Sequence, residues 1–223
     1  MTLRPPGELD TALASLARLT EAHGLTGWIG SAERELKGAD EGRLGTWLQS
    51  AVGEGELLKA ALAVKRVAGQ INVLVHALGI LTALPYILEP GETIESLSLG
   101  AGNTGRAHDL TTNLRVAEFK FIEWRGGSET IRQNGLFADL FNLVADHTTK
   151  RKVLYVVGDE HPNRFLNNQR ALASVMSRNS LLARRFRAEY GDRFATVREY
   201  YECVRDEVKI VDLAKTVPAL APV

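Results

Sequence analysis

The chain of 223 residues is 45% hydrophobic and 24% charged, and its 27 basic residues balance 27 acidic ones. This balance excludes a global positive field, so a polyanion would have to bind at a local basic patch. The single cysteine, Cys203, excludes an internal disulfide and a cysteine-rich zinc site, and it favours a reducing cytoplasm. The first residues also lack the apolar core of a signal peptide, so we expect a soluble cytoplasmic protein.

Residues 1–55 are predicted to form an N-terminal helical segment, and residues 56–223 a larger domain that carries C-terminal helices. In the first segment, leucines recur at helical spacing before Gly24, which is typical of a helix stop. These leucines are Leu9, Leu13, Leu16 and Leu19. The apolar groups at Trp28-Ile29 and Leu44–Leu48 indicate further short helices.

A long helix is predicted from Glu56 to about Leu84, amphipathic at first and then apolar all round. It overlaps the run Ile71–Leu88, which is nearly all apolar and only about long enough to span a bilayer. Because this run contains Asn72, His76 and Pro85, we favour a buried core helix over a membrane span. His76 is accordingly interpreted as a hydrogen-bonded core histidine and not as a ligand.

After the turn Glu89–Glu92 the apolar residues change from helical to alternating spacing. Three strands are predicted there, at Thr93–Leu99, Arg106–Thr112 and Arg115–Trp124. The loop Gly100–Gly105 matches the glycine fingerprint of dinucleotide-binding folds. That function requires a helix to begin inside the loop, whereas the residues that follow are strand-like, so we interpret the loop as a flexible hairpin connection.

Beyond Gly126-Gly127 the pattern becomes helical again, and Ser128 is the predicted N-cap. The predicted buried stripe of this helix consists of Ile131, Leu136, Phe137, Leu140, Phe141 and Val144. Val153–Val157 then has the continuous apolar run of a strand buried on both faces. Two more helices are predicted, around Arg164–Met176 and Ser180–Tyr190. They are followed by a weak strand or helix near Val208–Leu213. We therefore predict an α/β fold with a mixed central β-sheet flanked by helices.

The second and third strands bring two carboxylates and an amine together. If Thr112 pairs with Arg115 across a two-residue turn, Asp109 lies opposite Glu118, with side-chain roots roughly 5 Å apart. Lys120, two residues beyond Glu118, points to the same face. Facing like charges destabilise a hairpin, so either a shared divalent cation or Lys120 has to compensate them. The simpler alternative is a solvated sheet face with cross-strand ion pairs, but apolar neighbours on both faces favour a buried site.

These residues resemble the motif of the restriction-endonuclease-like nucleases, called PD-(D/E)XK. The resemblance covers roughly Leu57–Met176: Asp109 matches the first acid, and Glu118-Phe119-Lys120 matches the second half of the motif. His108 stands where the motif name has proline. The resemblance implies a restriction-endonuclease-like core that hydrolyses phosphodiester bonds with Mg²⁺ or Mn²⁺. It implies that Asp109, Glu118 and the main-chain carbonyl of Phe119 bind the cation. It also implies that Lys120 orients water or stabilises charge.

Many members of that family add another acid from the preceding helix or strand, and a polar residue from the following helix. Glu95 on the first strand and Gln133 in the helix after Lys120 are the candidates for these roles. An exposed strand glutamate and an N-terminal helix glutamine need no special function, so both alternatives stay open.

Two further groups of polar residues could contact a ligand. The strongest basic patch is Arg184, Arg185 and Arg187, interleaved with Phe186 and Tyr190. That pattern is typical of a surface that holds a phosphate backbone and stacks a base, although a solvated helix face is the alternative. Lys150–Lys152 is a second candidate phosphate contact. Asp159–His161 could be a second metal site, but we favour a loop in which Asp159 or Asn163 caps the next helix.

The function expected from these patterns is that of a metal-dependent nuclease, with DNA favoured over RNA. The main alternative is a catalytically inactive nuclease-fold protein that binds nucleic acid or scaffolds a partner. A third is a nucleotide-binding enzyme built around Gly100–Gly105. The sequence leaves endonuclease and exonuclease activity undecided. Cleavage of two strands often needs two sites, which a homodimer would supply.

Overall fold

The computed structural model describes residues 6–21, 24–51, 55–100, 107–121, 124 and 129–221. The chain divides into two compact units, residues 1–72 and 73–223. The first contains helices α1 (Pro6–Thr20), α2 (Gly24–Leu36) and α3 (Glu41–Ala51), together with the start of α4 (Glu56–Ile87). The helices predicted for this part of the chain are thus confirmed. Within the unit, the Trp47 indole donates a hydrogen bond to Glu35 over 2.8 Å and lies beside Trp28.

The second unit is built on a five-stranded sheet with the strand order β1-β2-β3-β4-β5. The strands are β1 (Ile94–Leu97), β2 (Leu110–Thr112), β3 (Arg115–Lys120), β4 (Arg151–Val156) and β5 (Val208–Asp212). The first three are antiparallel neighbours, whereas β4 runs parallel to both β3 and β5. This arrangement confirms the predicted α/β class and mixed sheet. The three antiparallel strands are shorter than predicted, and β3 ends at Lys120 instead of Trp124, whereas β4 begins two residues before the predicted Val153.

In the described part of this unit, five helices pack on one face of the sheet: α5 (Thr130–Ala145), α6 (Glu160–Leu166), α7 (Leu172–Met176), α8 (Ser180–Tyr190) and α9 (Val197–Val204). The prediction of one helix over Arg164–Met176 was wrong, since α6 and α7 are separate. Helix α9 was not predicted, although Thr196 and Glu199 form a capping box at its start, a signal visible in the sequence. Two 3-10 helices, Leu213–Lys215 and Pro218–Leu220, follow β5.

Each face of the sheet carries its own apolar layer. Val116, Leu154 and Val156 pack on one face against the helices α5 to α9. Ala117, Phe119, Val153 and Tyr155 pack on the other face against the end of α4 and the 3-10 helices. Because side chains alternate along β3, Glu118 and Lys120 fall on the same face as Val116, the face that α5 covers.

The start of α5 differs from the prediction. Glu129 occupies the N-cap position and its carboxylate binds Arg132, while Ser128 lies outside the described residues. Ile131 is 78% exposed, so its assignment to the buried stripe was wrong. The other five members of the stripe are buried as predicted. The stripe therefore begins one turn later, at Leu136, where α5 reaches the sheet.

Helix α4 is buried only toward its end, which corrects the prediction of a helix central to the core. Its buried residues are Gly79, Ile80, Ala83 and Leu84. Its exposed apolar residues are Leu58, Leu62, Ile71, Val73, Leu74, Val75, Leu78, Leu81 and Tyr86. By length and composition alone α4 could cross a membrane, and 22% of its most apolar window is buried. One such helix is weak evidence for a membrane span, and the cytoplasmic location stays a prediction.

Gly79 lets α4 approach the sheet closely. A Cβ atom at this position would lie 2.6 Å from the Phe121 ring. Gly79→Ala is therefore expected to lower the free energy of unfolding by about 1–3 kcal/mol, as overpacking does. Gly69→Ala, in the same helix, is the control because a Cβ there meets nothing within 4 Å. It is expected to gain about 0.5–1 kcal/mol from helix propensity. Urea unfolding of both variants checks the difference, and equal effects would contradict it.

Candidate active site

The β2–β3 hairpin sets the two acids of the motif opposite each other. Leu110 pairs with Ala117 and Thr111 with Val116, so one further step along this register pairs Asp109 with Glu118. The main-chain carbonyl of Asp109 accepts a hydrogen bond from Ser98, on the β1 side. The pair is thus of the non-hydrogen-bonded kind, in which facing side chains are closest. The side-chain carboxyl groups of Asp109 and Glu118 are close enough for each to shift the pKa of the other.

Asp109 is held from two sides. The Phe119 N–H donates a hydrogen bond to its Oδ2 over 3.0 Å, and His76 Nε2 lies 3.3 Å from its Oδ1. Burial would raise the pKa of Asp109, but the contacts with His76 and the Phe119 N–H outweigh it and lower that pKa. Asp109 is therefore an ionised acid inside the fold. His76, interpreted from the sequence as a hydrogen-bonded core histidine, has this acid as its partner.

Glu118 lies in the least favourable position for a negative charge. Burial raises its pKa to about 7, and the nearby carboxylates of Asp139 and Asp109 act in the same direction. The hydrogen bond between its Oε1 and His108 Nδ1, 3.1 Å long, opposes the shift. A carboxyl group of this kind is poised to release a proton when a cation approaches.

Lys120 binds Asp139, an acid that the sequence analysis did not select. Asp139 stands on α5, and its Oδ2 lies 2.5 Å from the Lys120 Nζ. Burial would lower the pKa of Lys120, but the charges of Asp139, Glu118 and Asp109 outweigh it and raise that pKa. Burial raises the pKa of Asp139 despite this pair. Lys120 is thus a fixed cation beside three carboxyl groups.

His108 connects the acids to the end of α5. Its Nε2 lies 2.6 Å from Asp146 Oδ2, while its Nδ1 faces Glu118. Hydrogen bonding to Glu118 raises the pKa of His108, and Asp146 adds to this effect. The position where the motif name has proline therefore holds a histidine that bridges two carboxyl groups.

A buried ion pair fixes the hairpin that carries this site. Arg115 Nε and Nη2 donate hydrogen bonds to the two carboxylate oxygens of Glu92, over 2.6 and 2.5 Å. Its Nη1 donates to the Tyr155 hydroxyl, and the Thr112 hydroxyl donates to Glu92 as well, each over 2.6 Å. Burial would raise the pKa of Glu92, but these hydrogen bonds outweigh it and lower that pKa. The turn before β1 is thereby tied to the tip of the hairpin.

The two additional candidates have partners elsewhere. Glu95 pairs with Lys150 over 2.5 Å, and Gln133 accepts a hydrogen bond from the Arg170 guanidinium. The structure places neither of them with Asp109 and Glu118. The residue of α5 that contacts the motif is Asp139, six residues after Gln133, which binds Lys120. The sequence held a signal for Asp139, since an acid one position before Leu140 interrupts the buried stripe.

The arginine patch on α8 is exposed, but it lacks the stacking surface expected from the sequence. Phe186 is buried in the core, and Tyr190 packs against Phe186 and Tyr200. The prediction that these rings alternate with the arginines on one surface was therefore wrong. Arg185 donates a hydrogen bond to Asn142 and lies over the Phe141 ring, while Arg184 and Arg187 extend into solvent.

The remaining predicted contacts form ion pairs within the fold. Each residue of Lys150–Lys152 meets an acid: Glu95, Glu89 and Glu207 respectively. Asp159 occupies the N-cap position of α6, but its carboxylate binds Lys215 over 2.6 Å, so the predicted capping contact was wrong. The glycine loop falls mostly on residues 101–106, which lie outside the described residues.

The carboxylates of Asp109 and Glu118 are oxygen donors of the kind that a hard cation prefers. Within the described ranges, no three His, Cys, Asp or Glu side chains converge as a ready set of metal ligands. Mg²⁺, however, is commonly held by one or two carboxylates, with water and substrate phosphate completing its shell. Asp109 and Glu118 supply two adjacent carboxylates, and a cation there would offset the burial and the neighbouring negative charges that raise the pKa of Glu118. Their chemistry therefore fits Mg²⁺ or Mn²⁺.

Comparison of the chain with protein-family models, with curated proteins and with solved structures gave no match. The function of this site has to be inferred from its own residues.

Proposed function

We propose that the protein is a metal-dependent nuclease with a restriction-endonuclease-like core, and that it hydrolyses phosphodiester bonds in DNA. The observation that carries the proposal is the convergence of Asp109, Glu118 and Lys120 at one partly buried point of the hairpin. Two adjacent carboxylates beside a fixed ammonium group would serve a reaction in which negative charge builds on a phosphate.

Asp109, Glu118 and the main-chain carbonyl of Phe119 would hold the cation. The Phe119 N–H points toward Asp109, and the N–H and C=O of one strand residue point to the same side, so its carbonyl is on that side too. When bound, Mg²⁺ or Mn²⁺ lowers the pKa of coordinated water and polarises the phosphate. Glu118 would give up its proton as it becomes a ligand.

Lys120 acts in this proposal as a cation and not as a base. Its raised pKa keeps the ammonium group charged at neutral pH, so it can stabilise the developing charge or orient the attacking water. Asp139 holds the Nζ in place, and its position on α5 fixes the ammonium group relative to the hairpin. His76 contacts the carboxylate of Asp109 and His108 that of Glu118, so each histidine would orient one of the two acids.

A nuclease assay tests the proposal directly. Single- and double-stranded DNA and RNA would be incubated with Mg²⁺, Mn²⁺ or EDTA, using the natural chain, Asp109→Asn and Lys120→Met. We expect metal-dependent cleavage that falls by about 10²-fold or more in each variant. Glu202→Gln, which changes an exposed acid on α9, is the matched control and should retain activity. Cleavage in EDTA, or activity that survives both substitutions, would refute the assignment.

A catalytically inactive nuclease-fold protein that binds nucleic acid remains the second candidate. The exposed Arg184 and Arg187 favour contact with a phosphate backbone. Salt-dependent binding of DNA or RNA without hydrolysis, unchanged in Asp109→Asn, would support this candidate over the enzyme.

A further inference from the structure

An apolar pocket opens directly beside Lys120. It has a volume of about 240 Å³, and its walls include Trp124, Leu136, Val156 and Pro162. This volume is below the ~300–1,000 Å³ of pockets for drug-sized ligands, and it suits one aromatic ring system. Lys120 therefore binds Asp139 and also forms part of the wall of this pocket.

Trp124 gives the pocket an aromatic wall with a supported position. Its ring packs at 6.2 Å from the Phe165 ring and at 6.3 Å from the His161 ring, measured between centroids. These contacts hold the indole from one side while it lines the pocket. Indole faces are good surfaces for stacking a nucleobase of any type.

Helix α5 joins the pocket to the acids. Arg132 and Gly135 line the pocket, and Asp139 stands one turn after Gly135 on the same side of the helix. Lys120 and Arg132 are paired with Asp139 and Glu129, but their side chains are 33% and 38% exposed, so a phosphate can still reach both cations from solvent. An apolar slot with a cationic rim complements a planar base that carries a phosphate.

We propose that this pocket binds the nucleobase of the nucleotide at the scissile phosphate. The inference rests on the proposed nuclease function and narrows its substrate class. A base can enter the pocket only when it is unpaired, so the substrate is single-stranded nucleic acid or a nucleotide that has left the stack. The phosphate attached to that base then lies at Lys120, beside Asp109 and Glu118.

Binding of a mononucleotide tests the pocket without relying on hydrolysis, because dAMP contains no phosphodiester bond. In the full chain carrying Trp28→Phe and Trp47→Phe, Trp124 is the only tryptophan and its fluorescence reports on the pocket. With Mg²⁺ present, dAMP should quench this fluorescence saturably, whereas 2-deoxyribose 5-phosphate should not. Equal quenching by both compounds, or none by dAMP, would overturn the proposal.

Gly135→Leu provides the blocking variant. A Cβ at Gly135 meets nothing within 4 Å, so a larger side chain can enter the pocket without a backbone clash. We expect dAMP binding to weaken by about 5- to 150-fold, the range of a lost base stack. Gly69→Leu, also at an open helical glycine, is the control. Undiminished dAMP binding by a folded Gly135→Leu protein would overturn the pocket assignment.

A cleavage assay tests whether the pocket contributes to hydrolysis. A single-stranded oligonucleotide with one abasic position should be cut more slowly at that position than the intact oligonucleotide. Equal rates would overturn the role of the pocket in substrate binding. If neither oligonucleotide is cut, the nuclease function fails, and the dAMP titration still decides whether the pocket binds a base.

Discussion

Glu118→Gln is expected to lower hydrolysis by about 10²-fold or more and, in the absence of metal, to stabilise the protein above pH 7. The amide keeps the shape of the carboxyl group but carries no negative charge. It therefore removes a metal ligand from the reaction and a buried charge from the fold. Activity and stability should move in opposite directions, as expected where a site is built at the expense of stability.

The effect of Glu118 on the free energy of unfolding depends on pH. The pKa of Glu118 is about 7 in the folded protein, above its ordinary value of 4.5. Below pH 4.5 the group is protonated in both the folded and the unfolded chain, and it costs nothing. Between pH 4.5 and 7 the unfolded chain releases this proton while the folded protein keeps it, so the free energy of unfolding falls by up to about 1–3 kcal/mol and stays at that lower level above pH 7. Glu118→Gln should remove this loss.

Urea unfolding in EDTA at pH 5 and pH 8 measures the effect. The advantage of Glu118→Gln should be larger at pH 8, and Glu202→Gln is the control because Glu202 is exposed and paired on α9. Adding Mg²⁺ at pH 8 should stabilise the natural chain more than the variant. A constant difference across this pH range would contradict the burial of an unfavourable charge at Glu118.

The part of the site that the sequence predicts correctly depends on local geometry. A two-residue turn at Asn113-Leu114 determines the register of β2 and β3, and the register determines that Asp109 faces Glu118. The alternation of side chains then places Lys120 beside Glu118. These relationships extend over twelve residues, so spacing and turn type suffice to predict them.

The partners that complete the site come from distant parts of the chain. His76 is contributed by α4, and Asp139 and Asp146 by α5, and their contacts depend on how each helix packs on the sheet. Periodicity identifies which helix face is apolar, but it does not determine the rotation that aims one polar residue at another. For that reason Gln133 was selected where the structure uses Asp139.

The arginine patch shows a related limit of sequence patterns. Arg184, Arg185 and Arg187 alternate in sequence with Phe186 and with a following tyrosine, but a helix separates neighbouring residues by about 100°. Phe186 therefore faces the core while the arginines face solvent. Adjacency in the sequence predicted one mixed surface, whereas the helical geometry produces two different faces.

Arg115→Met is expected to lower the free energy of unfolding by about 3–5 kcal/mol, more than any other substitution considered above. It leaves the carboxylate of Glu92 buried without its cation. The side chain of Arg115 is 6% exposed and that of Glu92 is fully covered. Methionine has a similar length, so the loss would come from the unpaired charge and from the lost hydrogen bonds to Glu92 and Tyr155.

Arg151→Met is the matched control. Arg151 also binds an acid, Glu89, over 2.6 Å, but its side chain is 53% exposed and water can replace the lost partner. Its substitution should cost less than about 1 kcal/mol. Chemical unfolding of the two variants compares a buried pair with an exposed one on neighbouring strands. Similar losses in both would contradict the burial of the pair between Arg115 and Glu92.

A double substitution separates the unpaired charge from a simple loss of packing. If the cost of Arg115→Met comes from the carboxylate left behind, adding Glu92→Met should recover at least about half of it, since an apolar pair of similar volume can replace a buried ion pair. If the cost comes from packing around Arg115, the second substitution should add to the loss.

Because this pair ties the turn at Glu92 to the tip of the hairpin, the single variant should also weaken hydrolysis by loosening the alignment of Asp109 with Glu118.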